Sequence, residues 1–277
     1  MSDSETPIVP ATTVLLVRDI ADDFEVFMVA RHPKSNFAAG ALVFPGGKLD
    51  PQDSDEALLA TCRSQQGPDG AFTDEELAFR ICGIRETFEE ASVMLARDTA
   101  SGEDLSDERN NTIVQTYREA LHKGDIGLLE IVQKESLTLA CDKMTLFAHW
   151  ITPTFFPRRF DTYFFLAGVS ADQAALHDGI ESTESLWTTP SDALDDGDAG
   201  RKIVVFATRA NLRKLALHST VKALAENTLA NEVITIEPNI TDNDGDVTFR
   251  IPTNAGYPLT EHTEYGGALL KVKDKKS

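Results

Sequence analysis

Three carboxylates within two helical turns are the feature of this sequence best suited to chemistry. The segment Arg85-Glu86-Thr87-Phe88-Glu89-Glu90 combines them with one guanidinium group. Residues three and four apart share a helix face, so Glu86, Glu89 and Glu90 can point at one spot. Carboxylates placed in this way repel one another unless a cation lies between them, and Mg²⁺ prefers oxygen ligands. The segment therefore predicts metal-assisted chemistry on a phosphorylated substrate.

The alternative is an ordinary solvated helix face, because the chain contains 45 Asp and Glu residues in total. The upstream residues 40–50 favour the metal site over this alternative. There, a short apolar run at residues 41–44 predicts a strand that ends at Pro45-Gly46-Gly47. Glycines let the backbone approach a ligand or a metal without an intervening side chain, so this turn can complete a site that the glutamates begin.

The Gly-rich turn followed by Arg-Glu-x-x-Glu-Glu resembles the sequence box of the Nudix hydrolases. Gly47 matches the opening glycine, and Asp53 lies where the first glutamate of the box belongs. The residues that match the core are Arg85, Glu86, Glu89 and Glu90. Thr87 replaces an apolar residue and Ser92 replaces the closing glycine, whereas Val93 matches the last apolar position.

The spacing inside this box departs from the family pattern. Residues 54–84 separate Asp53 from Arg85, where the family has seven residues, so the box is split by an insertion of about 24 residues, assigned to 54–76. A split box resembles the Nudix branch that includes peroxisomal coenzyme A diphosphatases. The flanking phrases extend this resemblance over about residues 11–225. The insertion is expected either to cover the metal site as a lid or to loop away from it.

The order of predicted elements indicates an α/β protein. Strands are expected at residues 12–18 and 25–30, the glutamate helix starts at a capping box formed by Thr73 and Glu76, and one long amphipathic helix is expected at 206–226. Runs at 233–236 and 246–251 predict a C-terminal hairpin. The resemblance implies a Nudix-type α/β/α sandwich with a mixed sheet, as one domain over residues 8–277. The domain would carry the insertion 54–76 within the box and a C-terminal extension at 227–277.

The resemblance also implies a reaction, namely hydrolysis of the diphosphate bond of a nucleoside diphosphate linked to another group. Coenzyme A or acyl-coenzyme A is the first expectation for the substrate. Glu86, Glu89 and Glu90, with the carbonyl of Gly47, would hold Mg²⁺ or Mn²⁺, and Arg85 would orient the carboxylates. The general base is expected either in the box or in a later loop. The loop candidates are Glu181 and Glu184, for which two exposed acids are the alternative interpretation.

Five residues are candidates for substrate binding. They are Arg31, Lys34, Phe37, Arg158 and Arg159. Arginine suits bidentate contact with phosphate, and the 3′-phosphate of coenzyme A would need such a partner. Phe37 or Phe155 could stack on an adenine, although ordinary packing is the commoner role of a phenylalanine.

Composition restricts the function classes. The net charge of −19 argues against nucleic-acid binding, which requires basic surface. No run of about 18 apolar residues predicts a membrane span. The sequence shows neither a secretory pattern nor a terminal Ser-Lys-Leu, which favours a cytoplasmic location. The three cysteines have no paired spacing, and nothing distinguishes a monomer from a homodimer.

Two alternative functions stay open from the sequence. The first is the same chemistry on another nucleotide, such as ADP-ribose or NADH. The second is a Nudix-fold binding or regulatory module without catalysis, because a fold does not determine a function. The complete Arg-Glu-x-x-Glu-Glu core argues against the second alternative, whereas Asp53 and Ser92 depart from the family pattern and keep it open.

Overall fold

A computed structural model of the protein describes residues 7–31, 40–68, 70–170 and 182–264. The strands of this part are β1 (Ile8–Asp19), β2 (Phe24–Arg31), β3 (Leu42–Val43), β4 (Gly46–Lys48), β5 (Gln66–Gly67), β6 (Gly70–Ala71), β7 (Ala96–Asp98), β8 (Leu137–Leu139), β9 (Thr145–Ile151), β10 (Arg159–Gly168), β11 (Ser182–Thr188), β12 (Thr235–Ile236), β13 (Asn239–Asn243), β14 (Asp246–Arg250) and β15 (Glu261–Glu264). The α-helices are α1 (Glu56–Cys62), α2 (Asp74–Ala91), α3 (Asp107–His122), α4 (Leu128–Lys134), α5 (Pro190–Asp198), α6 (Phe206–Leu215) and α7 (Val221–Ala230). Short 3₁₀ turns cover Pro51–Ser54 and Cys141–Lys143.

The principal sheet is mixed, as expected. Its strands lie in the order β11-β2-β1-β10-β9-β12, with β3 paired to β2 and β4 paired to β1. β1 runs parallel to β10 and β12 runs parallel to β9, whereas the remaining pairs are antiparallel. The two short strands β3 and β4 therefore enter the sheet where β1 and β2 separate, and they carry the Gly-rich turn into this gap.

Helices cover both faces of this sheet, which produces the expected α/β/α sandwich. Alternate residues of β1 divide between two cores: Val14 and Leu16 pack with α1 to α4, whereas Leu15 and Val17 pack with α5 to α7. All four side chains are fully buried. A strand that is apolar on both faces cannot face water on either side, so this pattern requires a layer of helices above and below.

The glutamate-bearing helix α2 follows its predicted sequence signals. Thr73 is its N-cap, and the capping box with Glu76 is formed in both directions. The positions predicted to face the core are fully buried: Leu77, Ile81, Ile84, Phe88 and Ala91. The helix ends at Ser92, which adopts the left-handed conformation (φ 60°, ψ 31°). A left-handed residue explains why this position of the box favours glycine.

The described residues of the insertion within the box pack against the body of the protein. Helix α1 buries Leu58, Leu59 and Cys62 in the core beneath α2. Gln65 then donates to the carbonyl of Leu139 at 2.6 Å and accepts from the backbone of Asp142 at 3.0 Å. The short β5–β6 hairpin follows, and α2 begins at Asp74, so the last residues of the predicted insertion belong to the box helix.

Two predictions for the C-terminal part are wrong in their boundaries. The helix expected at 206–226 is two helices, because Thr220 caps a new helix and Asp19 at the end of β1 accepts from the backbone of Val221 at 2.8 Å. The C-terminal hairpin exists, but its first strand is β13, whereas Thr235 and Ile236 join the principal sheet beside β9. β13 to β15 form a separate sheet whose residues Val247 and Phe249 pack into the core beneath α6.

Candidate active site

A bidentate ion pair joins the two halves of the split box. Nε and Nη2 of Arg85 donate to the two carboxylate oxygens of Asp53 at 2.8 and 2.9 Å. Both residues are buried, and Asp53 has no exposed surface. Although burial by itself lowers the pKa of Arg85, the hydrogen bonds to Asp53 raise it, so the guanidinium remains charged. Asp53, which matches the first box glutamate in sequence, thus holds Arg85 across the insertion.

The remaining N–H groups of Arg85 donate hydrogen bonds to other residues of the candidate site. Nη1 donates to Glu86 at 2.7 Å and to Glu89 at 3.3 Å, and Nη2 donates to the carbonyl of Lys48 at 3.0 Å. Arg85 therefore pairs with Glu89, which lies four residues later on the same helix. One guanidinium connects α2, the end of β4 and the 3₁₀ turn that carries Asp53.

Glu86 lies directly against the backbone of Gly47. A Cβ atom built on Gly47 would lie 2.2 Å from Oε1 of Glu86, so only glycine leaves space for this carboxylate. Burial, and after it the negative charge of Glu89, raise the pKa of Glu86 to about 7 against the opposing effect of Arg85. The ionised form of a largely buried carboxylate with a raised pKa is stabilised by a nearby cation.

Glu90 and Glu89 complete the set from the last turn of α2. Oε2 of Glu90 accepts from the backbone nitrogen of Gly46 at 2.9 Å, and Glu90 is buried. Glu89 is slightly exposed and lies between Arg85 and His122, whose Nδ1 is 3.6 Å from Oε2 of Glu89. Glu86 and Glu90 therefore contact the Gly46–Gly47 turn, and Glu89 is linked to Glu86 through Arg85, which donates to both.

This arrangement fits a hard divalent cation, because its donors are carboxylate and backbone oxygens and its carboxylates outnumber the one guanidinium beside them. Among the described residues, however, no three acidic, histidine or cysteine side chains lie together as a ready-made set of metal ligands. Arg85 contacts Glu86 and Glu89, and Glu90 contacts Gly46, so each of the three carboxylates has a protein partner. A cation would have to draw these carboxylates together.

The three described arginines among the predicted substrate-binding residues differ in their surroundings. Arg31 ends β2, and its Nε is buried with no hydrogen-bond partner among the described residues. Arg158 is exposed and immediately precedes β10. Arg159 is buried, donates to the carbonyl of Thr152 at 2.8 Å and pairs with Glu237 at 2.7 Å, so its guanidinium is committed to protein partners. We therefore withdraw Arg159 from the candidate phosphate contacts.

The loop candidates are described only in part. Glu184 is exposed in β11 and pairs with Lys202 at 2.6 Å. In the sheet, Glu184 lies opposite Ala30, which is next to the last residue of β2. Lys34, Phe37 and Glu181 lie outside the described residues. The general base and the adenine contact therefore stay predictions.

Comparison with known proteins identifies the family. A profile described as the NUDT19 Nudix domain matches residues 56–204, which include Arg85 to Glu90. The chain belongs to this Nudix family. A Nudix hydrolase from Alicyclobacillus acidocaldarius has the same fold, with a TM-score of 0.64 and 26% identity, over 83% of this chain and 99% of the bacterial protein. The predicted fold class is thereby confirmed.

Relatives of this Nudix chain include two vertebrate proteins named acyl-coenzyme A diphosphatase NUDT19. The Xenopus laevis protein is 28% identical over 212 residues, which are 63% of this chain and 55% of that protein. The human protein is 26% identical over 251 residues, covering 74% of this chain and 67% of that protein. The chain thus matches about half to two thirds of the length of these relatives.

Two residues of α3 beside the Nudix box were not among the predicted site residues. Arg118 donates from Nε to the carbonyl of Glu89 at 2.7 Å, and His122 faces the carboxylate of the same glutamate. Their spacing of four residues places them on one face of α3, but no signal in the sequence indicates that this face meets α2.

In the part of this Nudix chain that the structure describes, none of the helices has both the length and the apolar character required to cross a membrane.

Proposed function

We propose that this Nudix chain hydrolyses the diphosphate bond of coenzyme A or acyl-coenzyme A with the help of Mg²⁺ or Mn²⁺. The observation that carries the proposal is the buried pairing of Asp53 with Arg85, since it joins the two halves of the box despite the insertion and holds the residue that donates to Glu86 and Glu89. An intact box geometry favours catalysis over a Nudix-fold module that only binds.

Glu86, Glu89 and Glu90 would hold the cation, and the Gly47 carbonyl is a further candidate ligand. A divalent cation at this position supplies charge neutralisation for the diphosphate oxygens and acidifies a water molecule. Arg85 keeps Glu86 and Glu89 on the side of α2 that faces Gly47. The absence of a Cβ at Gly47 leaves the space that the Glu86 carboxylate occupies.

The choice of coenzyme A or acyl-coenzyme A rests on the two vertebrate relatives and on the split box. Arg31 is the residue we propose for contact with a substrate phosphate, because its buried Nε lacks a described partner at the end of the strand next to β3. An unpaired buried donor is costly, and a phosphate oxygen would satisfy it. Arg158, being exposed, is a second candidate.

The net charge of −19 disfavours a nucleic acid as substrate, because nucleic-acid binding requires basic surface. For a small diphosphate substrate, the cation held by the glutamates would offset this charge. A cytoplasmic location and a homodimer stay predictions.

The test is a cleavage assay of the full chain with Mg²⁺ and with Mn²⁺ on five substrates. These are coenzyme A, acetyl-coenzyme A, ADP-ribose, NADH and diadenosine polyphosphates, with products identified by mass spectrometry. Glu90→Gln is the site variant, and Glu103→Gln, an exposed acid in the loop before α3, is the matched control. We expect 3′,5′-ADP and a phosphopantetheine product from the coenzyme A compounds, lost in Glu90→Gln and retained in Glu103→Gln.

A preference for ADP-ribose, NADH or the diadenosine compounds would preserve the chemistry and reject the coenzyme A assignment. Absence of metal-dependent cleavage of every substrate would reject the proposed hydrolase function and favour the binding module.

A further inference from the structure

The three box glutamates are not held equally by the box itself. Glu86 accepts from Arg85 at 2.7 Å, and Glu90 accepts from the backbone of Gly46 at 2.9 Å. Among the described residues of the box, the one side-chain donor to the Glu89 carboxylate is Nη1 of Arg85 at 3.3 Å, and the same atom also donates to Glu86. A hydrogen bond of 3.3 Å is longer than usual and therefore weak. Arg85 thus fixes the orientation of the Glu89 carboxylate less firmly than that of Glu86.

Helix α3 is fixed against the C-terminal end of α2 along one face. Asn110, which is buried, accepts from the backbone of Met94 at 2.9 Å and donates to the carbonyl of Ser92 at 3.0 Å. Arg118, two turns later, donates to the carbonyl of Glu89 at 2.7 Å. His122 follows at the next position of the same i, i+4 series, so the series leads directly to the Glu89 side chain.

Hydrogen bonds at the C-terminal end of α3 fix its last turn, which carries His122. Gly124 adopts φ 73° after the helix, and its nitrogen donates to the carbonyl of Leu121 at 2.9 Å. The nitrogen of Asp125 donates to the carbonyl of Ala120 at 2.9 Å. This is the usual glycine-based termination of a helix, and it restricts the last turn that carries His122.

One ring nitrogen of His122 lies close to the carboxylate of Glu89. This nitrogen, Nδ1, is buried without a hydrogen-bond partner among the described residues and lies 3.6 Å from Oε2 of Glu89. Buried polar atoms are usually paired. A relative shift of about 0.6 Å would bring the two atoms within hydrogen-bond distance. Oε1 of Glu89 faces Arg85, so the two oxygens of this carboxylate lie between two donors.

We propose that His122 is a positioning residue of the cation site, in which its Nδ1–H orients the carboxylate of Glu89. This inference rests on the proposed function, because it assigns Glu89 to a divalent cation. Groups that hydrogen-bond a metal ligand fix its orientation, and their loss commonly weakens metal binding by about 10- to 100-fold. His122 and Arg118 thus contribute from α3 what the Nudix box alone leaves incomplete.

The test measures Mn²⁺ binding to the full chain by the electron paramagnetic resonance signal of free Mn²⁺ at one fixed pH, without substrate. We expect His122→Leu, which keeps bulk and removes the donor, to weaken binding about tenfold. His122→Asn, whose amide nitrogen can donate from a similar position, should stay within about threefold of the unchanged protein. His218→Leu, the same substitution after α6, is the matched control and should bind Mn²⁺ unchanged.

A double-mutant cycle separates orientation of Glu89 from a general structural effect. If His122 acts through Glu89, His122→Leu adds nothing to the loss already caused by Glu89→Gln. A tenfold loss that persists in the Glu89→Gln background would overturn the proposal, as would normal binding by His122→Leu. If the unchanged protein itself bound no Mn²⁺, the failure would lie with the proposed metal site rather than with the role of His122 alone.

Discussion

Asp53 and Arg85, separated by the whole insertion, form a buried bidentate ion pair. The pair explains how a box divided by about 24 additional residues retains its geometry, because the inserted chain leaves and returns while its two anchors stay in contact. The aspartate is one methylene shorter than the glutamate that the family box has there, yet it reaches Arg85 with both oxygens.

Removal of the Asp53 charge should destabilise the protein strongly. Asp53→Asn removes the fully buried, bidentate partner of Arg85 and leaves Glu86 and Glu89 as its remaining carboxylate contacts. Loss of one partner of a buried ion pair typically costs about 3 kcal/mol or more in the free energy of unfolding. Urea denaturation followed by circular dichroism measures this cost. Glu56→Gln is the control, because it breaks an exposed pair with Arg63 and should change stability little. Equal effects of the two variants would contradict the structural role of Asp53.

A methyl group at residue 47 should impair the site rather than the fold. In Gly47→Ala the new Cβ would lie 2.2 Å from Oε1 of Glu86, which is too close, so the Glu86 carboxylate must move to another position. We expect Mn²⁺ affinity and any metal-dependent activity to fall by at least about tenfold, as for other displaced ligands. Gly127→Ala is the matched control, since its Cβ would meet only Gln52 at an ordinary 3.5 Å. Unchanged Mn²⁺ affinity in Gly47→Ala would show that Glu86 does not ligate the ion.

Metal binding and stability should depend on pH through Glu86. Its pKa of about 7 in the folded protein is above its ordinary value of 4.5, so the native state binds more protons than the unfolded state between these values. Without metal, the stabilisation that comes from protonation of Glu86 in the folded state is fully present below about pH 4.5. It is lost as pH rises towards 7.

With Mg²⁺ the trend should reverse, because the ion requires the ionised carboxylate. Stabilisation by Mg²⁺ should increase from pH 5 to about pH 8, as measured by thermal unfolding with and without the ion. Glu86→Gln should remove this dependence. Glu264→Gln should preserve it, although burial raises the pKa of Glu264 as well. A stabilisation by Mg²⁺ that is independent of pH would exclude Glu86 as the responsible group.

The left-handed residue that ends α2 gives a test independent of metal. At φ 60° a β-branched residue is strained whereas glycine is not. Ser92→Val should therefore be less stable than Ser92→Gly by about 1 to 2 kcal/mol in urea denaturation. Similar stabilities of the two variants would mean that the helix does not end in this conformation.

Much of the site could be predicted from the sequence because its signals are local. The capping box at Thr73, the apolar stripe from Leu77 to Ala91 and the spacing of Glu86, Glu89 and Glu90 all lie within one helix. A helix face is determined by its period, so these predictions required no knowledge of distant contacts. The Gly-rich turn was predictable for the same reason.

Long-range contacts decided what the sequence pattern left open or misjudged. The insertion is anchored to the body of the protein by the buried side chains of Leu58, Leu59 and Cys62. The side chain of Gln65 adds hydrogen bonds to the backbones of Leu139 and Asp142. The helix expected at 206–226 is broken where Val221 binds Asp19, 202 residues away in sequence.

The sequence by itself determined which residues carry carboxylates to one side of α2 and that a glycine turn precedes them. Only the tertiary structure decided that Asp53 neutralises Arg85, that Arg159 is committed to Glu237 and that His122 faces Glu89. Periodicity is encoded in neighbouring residues, whereas the partner of a buried charge is set by how separate elements pack together.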